Sequence, residues 1–216
     1  MYRLHCFSIS GNCFKVAFML RHLGQPFDTV LIDFLGGVTR DASWRRETNE
    51  MGEAPILEVD GQRLTQSGMI LSWLADKHGR LGGRTPDERY EVLRWLLFDN
   101  HKFTSYFATY RFLRSFSPVA PDLAVLDWLK GRAHAAFGIV DQHLATRDYL
   151  VGDAPTIADL SLSAYLFYPE EESGLGMLTR YTHIARWIER LRTLDGWADP
   201  YTVMPGTRPP LRGHGT

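Results

Sequence analysis

A hydroxyl, an amide and a thiol follow one another in Ser10-Gly11-Asn12-Cys13, with a further hydroxyl at Ser8. At the start of a helix such a hydroxyl or amide can donate to an anion, and the free backbone amides there add to it. The same side chains can also do no more than cap the helix. A second group stands at Gln66-Ser67, again where a helix is expected to begin, so its side chains and free amides can hold a carboxylate. Just before it, Ile56, Leu57 and Val59 are strand formers and Asp60-Gly61 is a strong hairpin signal. Pro55 cannot donate to a sheet ladder, so it belongs at the first residue of a strand, and it pushes Ala54 to extended geometry. A cis Ala54-Pro55 bond would turn the Ala54 backbone groups outward, free to pair with something other than the sheet. An extended backbone edge beside an anion cradle suits a small peptide.

Residues 2–8 (YRLHCFS) read as a first strand, punctuated by Ser10-Gly11-Asn12. From Cys13 the pattern becomes helical, with Val16, Met19, Leu20 and Leu23 at i, i+3, i+4 and i+7. Gly24 closes this helix, Pro26 follows, and residues 27–32 (FDTVLI) form a second strand. Strand, helix and strand in this order predict a right-handed βαβ unit with a parallel pair. Residues 36–48 are polar and read as an irregular loop with a short helix over 42–47. The hairpin follows, then a helix over 67–77 carrying Ile70, Leu71 and Leu74 on one face.

Residues 78–86 (HGRLGGRTP) are a glycine-rich linker, beyond which everything reads as helical. A long helix is expected over 87–114, broken by Pro118 and Pro121, then another over 122–144 with Leu126, Leu129, Ala133, Ala136, Phe137, Val140 and Leu144 at helical spacing. Leu160, Leu162, Ala164 and Leu166 alternate as a strand would, but Thr156-Ile157-Ala158-Asp159 is a capping box, and the cap decides for helix. Asp159 is expected half-buried. Ile184, Trp187, Ile188 and Leu191 mark a last helix, and the proline- and glycine-containing stretch from Trp197 reads as an extended arm or disordered. The expected division is 1–78, a linker over 79–86, an all-α domain over 87–200 and a tail over 201–216.

With 44% hydrophobic residues, the 216-residue chain can bury one large core or two modest ones. A formal net charge of -1 supplies no global field toward nucleic acid or anionic lipid. No apolar run approaches a membrane span, and no signal peptide precedes the first strand, so the expectation is a cytoplasmic protein without nucleic-acid or membrane partners. Cys6 and Cys13 are too close and too few for a disulfide framework. The eight histidines show no metal-ligand pairing and no phosphate-binding glycine loop is visible, so no metal is expected.

The stretch Gly52-Glu53-Ala54-Pro55-Ile56-Leu57, followed by Gln66-Ser67, resembles the glutathione-binding hairpin of the glutathione transferase superfamily. Gly152-Asp153-Ala154-Pro155-Thr156-Ile157-Ala158-Asp159 resembles the folding signature of the same superfamily, whose role is structural. The resemblance implies an α/β protein: an N-terminal thioredoxin-like βαβαββα domain, then an all-helical C-terminal domain. It implies glutathione as cosubstrate, a homodimer, and an active centre at the first strand–helix turn. Ser10 matches the active-site serine of zeta-class enzymes and the cysteine of beta-class and omega-class enzymes. Asn12 falls where certain bacterial transferases with disulfide-reductase activity carry a functional asparagine. Tyr2 lies too early in its strand to be the tyrosine of the alpha, mu and pi classes.

The implied chemistry is to hold a thiol as thiolate near neutral pH. A free thiol has a pKa of ~8.5, and lowering it by ~2 units needs about 2.7 kcal/mol of preference for the anion. A hydrogen bond to a charged group contributes ~1.5–3 kcal/mol and a helix N-terminus ~0.3–1, so one hydroxyl plus the helix end suffices. Ser10 is the expected hydroxyl, helped by Asn12, with Ser8 a second hydroxyl within reach. The Ala54 backbone next to Pro55 would pair with the cysteinyl part of the tripeptide, and Gln66 and Ser67 would hold its γ-glutamyl end. The implied reaction is conjugation of glutathione to an apolar electrophile. The alternatives are a glutathione-dependent disulfide reductase and a transferase-like binding protein without catalysis. Cys13, at the second position of a Cys-x-x-Cys whose first cysteine is serine, cannot form a motif disulfide. Arg40, Arg45 and Arg46 lie where related proteins often reach the glycine carboxylate, and Tyr106, Tyr110 and Arg111 could line a second-substrate pocket. Glu53 departs from the family pattern and would weaken binding unless it points away; Asn49-Glu50 stands where Asn-Pro is common.

Overall fold

In the computed structural model, which describes residues 1–212, β1 (Tyr2–Cys6) turns Tyr2, Leu4 and Cys6 inward with the period of two of a half-buried strand. The chain turns after Phe7, whose carbonyl accepts from Ser10 N at 3.2 Å, into α1 (Gly11–His22). This helix stops at Leu23 because Gly24 takes φ +66, open to glycine at little cost. β2 (Phe27–Leu31) returns parallel to β1, with Tyr2 opposite Phe27. A single 3-10 turn and α2 (Ala42–Glu47), whose Asp41 cap accepts from Trp44 N at 2.8 Å, lead to the hairpin of β3 (Ile56–Val59) and β4 (Gln62–Thr65). The sheet order is β2-β1-β3-β4, with β3 antiparallel to both neighbours. α3 (Ser67–His78) completes the expected βαβαββα arrangement and packs on α1.

One consequence of this topology positions the site. Leu4 pairs with Leu57 and His5 with Ile56, so the residues after β1 and those before β3 emerge at the same end of the sheet. The Asp60-Gly61 turn, by the same register, lies at the other end, where Met1, Arg3 and Arg63 line a shallow concavity. In open sheets, ligands bind at the carboxyl ends of the parallel strands, beside the strand from which successive connections diverge. Here that strand is β1.

The chain separates into two compact units: Met1–Arg80 with Leu194–Arg208, and Leu81–Thr193 with the described residues after Arg208. The second is helical: α4 (Pro86–Phe98), α5 (Thr104–Ser115), α6 (Leu123–His143), α7 (Ile157–Ser163), α8 (Met177–Arg180) and α9 (Thr182–Arg192). Its interior includes stacked Phe103 and Phe137, with ring centroids 4.3 Å apart, and the fully buried Trp187. α10 (Pro200–Val203) packs against α1 in the first unit.

Three expectations need correction. The helix expected over 87–114 is interrupted by a π turn, Asp99–Phe103. The buried Asp99 carboxylate accepts from the hydroxyl of Thr104, five residues on, and from Ser161 at 2.6 Å, and the wider turn serves the first of these contacts. Asp159 is fully buried rather than half-buried. It accepts from Leu150 N (2.9 Å), Thr156 N (2.8 Å) and Trp187 Nε1 (2.9 Å), and the capping box at Thr156 is formed, so α7 is a helix as its cap indicated. Finally, the stretch read as an arm or tail carries α10, and Leu194–Arg208 is folded into the first unit. Arg21 Nε donates to Gly196 O at 2.7 Å and holds it there. Residues 213–216 of the expected tail lie outside the described residues.

Candidate functional site

Ser10 is the N-cap of α1. Its backbone is extended (φ -94, ψ 107) and its Oγ accepts from Cys13 N at 3.2 Å. The hydroxyl is also beside the Cys13 thiol: burial pushes Cys13 up to about 12, against the pull of its bond to Ser10. Cys13 is thus a protonated core thiol. Cys6 is pushed up by burial as well. Ser8 is buried, and its Oγ donates to Thr207 O at 3.1 Å. Ser8 therefore faces the returning C-terminal segment, while Ser10 and Asn12 stand at the start of α1.

Asn12, half-buried in the first turn of α1, meets the second expected cluster directly. Ser67 Oγ donates to Asn12 Oδ1 at 3.4 Å, so the N-termini of α1 and α3 converge. With its oxygen facing a donor, Asn12 has the two Nδ2 hydrogens to offer a sulfur or an oxyanion. Ser67 is buried, while the Gln66 side chain is exposed. Two helix starts at one place supply partial positive charge and free amides, a setting for an anion.

The Ala54-Pro55 bond is cis, and Pro55 is buried immediately before β3. The loop leading to it is closed by the buried Asn49, whose Nδ2 donates to Glu53 O at 2.8 Å and whose Oδ1 accepts from Met51 N at 3.1 Å. Gly52 sits at φ +67, and a Cβ there would come within 2.5 Å of the Arg45 guanidinium. Arg45, one of the three arginines singled out, lies against Gly52 of this loop, steadied by Nε donation to Thr39 O at 2.9 Å. Glu53 does not point away: its Oε2 accepts from Gln66 Nε2 at 2.6 Å. The Gln66 backbone has φ +67 and ψ 109, a conformation costly for a side-chain-bearing residue.

The residues offered for a second-substrate pocket divide. Arg111 and Glu172 form a buried ion pair, and Tyr110 is buried, so both belong to the interior. Tyr106 accepts from Arg132 Nη2 at 3.2 Å and stands edge-on to Trp128. Within the first unit, Phe7 and Phe34 stack with centroids 4.5 Å apart just before Ser8, an apolar surface the sequence reading did not single out. Among the described residues no three His, Cys, Asp or Glu side chains converge as a metal site, and no helix is long and apolar enough to cross a membrane.

Residues 4–85 match the family model for the glutathione S-transferase N-terminal domain, and residues 103–195 match that for its C-terminal domain. A glutathione S-transferase of Xanthomonas campestris pv. campestris is 32% identical over 162 residues, 69% of this chain and 72% of that one. The chain belongs to the glutathione S-transferase family. The family's cosubstrate is glutathione. The maleylacetoacetate isomerase of Rhizobium meliloti is 30% identical over 161 residues, covering 71% of this chain and 74% of that protein. A glutathione S-transferase structure from Xanthobacter autotrophicus superposes with a TM-score of 0.82 at 32% identity, covering 92% of this chain and 96% of that one.

Two features of the site stand outside the sequence motifs, one without a sequence signal and one with a weak signal. Thr207 stands 199 residues from Ser8, and only the fold brings its carbonyl there. Asn49 was read as half of an altered Asn-Pro pair, whereas its side chain organises the loop. An asparagine four residues before the closed carbonyl is a turn signal that could have suggested this.

Proposed function

We propose that this chain binds glutathione at the converged N-termini of α1 and α3 and conjugates its thiolate to an apolar electrophile. The observation that carries the reading is the contact of Ser67 with Asn12, which unites the two groups expected to hold opposite parts of one peptide. Ser67, Gln66 and the α3 amides hold the γ-glutamyl carboxylate, and the Ala54 backbone beside Pro55 pairs with the cysteinyl unit. The thiol then lies at the first turn of α1. There the Ser10 hydroxyl and Asn12 Nδ2 donate to the sulfur, and the thiol proton leaves to solvent. The sulfur lone pair forms the carbon–sulfur bond as the leaving group departs with its electron pair. Phe7 and Phe34 offer the electrophile an apolar surface. As in its family, the working form is proposed to be a homodimer.

The buried, protonated Cys13 counts against a dithiol redox cycle at this turn. Calorimetric titration with reduced glutathione tests the binding reading. Micromolar to millimolar affinity in the wild type, lost in Gln66→Ala/Ser67→Ala, is the expected result. The ultraviolet thiolate band of bound glutathione, followed against pH, then tests activation: its midpoint is expected to rise in Ser10→Ala and in Asn12→Ala. Absence of binding in the wild type would leave a family member that keeps the fold without the chemistry. Turnover of a disulfide but of no electrophile would instead favour a glutathione-dependent reductase.

A further inference from the structure

The side-chain amide of Gln66 is fully engaged in the structure. Its Nε2 carries two hydrogens and has two acceptors, Glu53 Oε2 at 2.6 Å and Met51 Sδ at 3.1 Å. The acceptors are unequal. A bond to a carboxylate is charge-assisted, whereas a thioether is a weak acceptor that gives up a donor easily. The hydrogen on the Met51 side is therefore the one Gln66 can turn to a ligand. Oxidation of the sulfur reverses this, because it converts an apolar side chain into a polar one ending in a strong acceptor oxygen. We propose that Met51 is a site of oxidative modification, and that its sulfoxide retains the Gln66 amide and so weakens the binding of glutathione. The inference rests on the glutathione reading above.

Exposure sorts the sulfur atoms of the chain. Of the six methionines, Met19, Met177 and Met204 are buried, and Met1, Met51 and Met69 are exposed. Cys6 and Cys13 are buried, and burial keeps both as unreactive thiols. Met51 is 51% exposed, yet its backbone is braced. Its N–H donates to Asn49 Oδ1 at 3.1 Å, and the next residue, Gly52, donates to Asn49 O at 2.9 Å. The thioether is thus open to solvent and bonded to Gln66 at once. Met1 lines the concavity at the other end of the sheet, and Met69 lies within α3, so both serve as internal controls. The oxidant is a hydroperoxide. A sulfur lone pair takes its terminal oxygen, the O–O bond breaks, and the proton passes to the departing oxygen, which leaves as an alcohol, or as water from hydrogen peroxide. The sulfur loses two electrons and the peroxide gains two; methionine sulfoxide reductases return the thioether.

The decisive experiment treats the wild type, Met51→Leu and Met51→Gln with hydrogen peroxide, removes the peroxide by gel filtration, and titrates each protein with reduced glutathione by calorimetry. Peptide mass mapping reports which methionines have gained an oxygen atom, and melting curves confirm that the treated proteins are folded. Wild-type affinity is expected to fall roughly fivefold as the Met51 peptide gains oxygen, the scale of one neutral hydrogen bond, and to return after methionine sulfoxide reductase. Met51→Leu should show the same affinity treated and untreated, although Met1 and Met69 are still oxidised. Met51→Gln carries a strong acceptor without any oxidant, so before treatment it should bind glutathione more weakly than Met51→Leu. Equal binding by those two variants would overturn the proposal. So would a Met51 that stays reduced while Met69 is oxidised, a wild type whose affinity is unchanged with Met51 oxidised, or an equal fall in Met51→Leu. Each of these leaves the glutathione site standing. No binding by the untreated wild type would overturn both readings.

Discussion

Replacing Gln66 by glycine is expected to stabilise the first unit while destroying its hold on glutathione; replacing it by alanine is expected to destroy the hold without that gain. The backbone at Gln66 has φ +67 and ψ 109, outside the regions open to residues with a Cβ. Such a residue carries strain of about 1–3 kcal/mol. Glycine removes this strain, loses about 0.5–1 kcal/mol to the greater freedom of the unfolded chain, and loses the exposed bond to Glu53, worth about 0.5 kcal/mol. Taking the middle of the strain range, Gln66→Gly comes out more stable than the wild type by about 0.8 kcal/mol. Alanine keeps the Cβ and hence the strain, and loses the same bond, so it falls about 0.5 kcal/mol below the wild type. Glycine should therefore exceed alanine by about 1.3 kcal/mol, the reverse of their order in a helix interior. In urea that gap is a midpoint difference of roughly 0.4 M for a chain of this size. Equilibrium unfolding of both variants, followed by titration with glutathione, is the assay. Alanine equal to or more stable than glycine would refute the argument that strain at this residue is held in place for the ligand.

Asp159→Ala removes the acceptor for Leu150 N, Thr156 N and Trp187 Nε1 at once, and a loss of about 3–5 kcal/mol is expected in chemical unfolding; a loss below about 1 kcal/mol would mean these donors find other partners. Arg111→Met leaves the wholly buried Glu172 carboxylate without its guanidinium and is expected to cost about 3–5 kcal/mol, most of it recovered in Arg111→Met/Glu172→Leu. Thermal scans of the single and double variants check this. Burial pushes the Cys13 thiol up from its ordinary value of 9.0 to about 12. Between those values the unfolded chain releases a proton that the folded chain keeps, so its contribution to stability falls as pH rises, by up to ~1.4 kcal/mol per pH unit. The difference in unfolding free energy between wild type and Cys13→Ala, measured from neutral pH upward through this window, should show that slope. A flat difference would contradict the burial of the thiol.

Much of the fold was legible in local patterns because local forces decide them. The helical spacing of Val16, Met19, Leu20 and Leu23, the stop at Gly24 and the Asp60-Gly61 turn each act within a few residues, and α1 and the β3–β4 hairpin stand where these signals put them. The Thr156 capping box settled helix against strand in the same way. The uninterrupted helix over 87–114 failed because its breaker is no local residue type: the π turn accompanies the contact of Asp99 with Thr104, and the same buried carboxylate accepts from Ser161 in another helix. The expected tail failed similarly, since composition alone did not register the docking of Thr207 onto Ser8.

At the candidate site, sequence by itself determined which groups are present: the Ser10 and Asn12 donors, the Ala54-Pro55 edge and the Gln66-Ser67 helix start, all recognisable from short-range motifs. Only the tertiary structure decided how they are used. The register of β1 on β3 and the packing of α1 on α3 bring Asn12 to Ser67, residues 55 positions apart. The returning C-terminal segment occupies Ser8, and the loop closed by Asn49 turns Glu53 toward Gln66 rather than away. Motifs report the conformational preferences of neighbouring residues. Partners of side chains are chosen by where the packed core leaves them, and that choice is made by the whole chain at once.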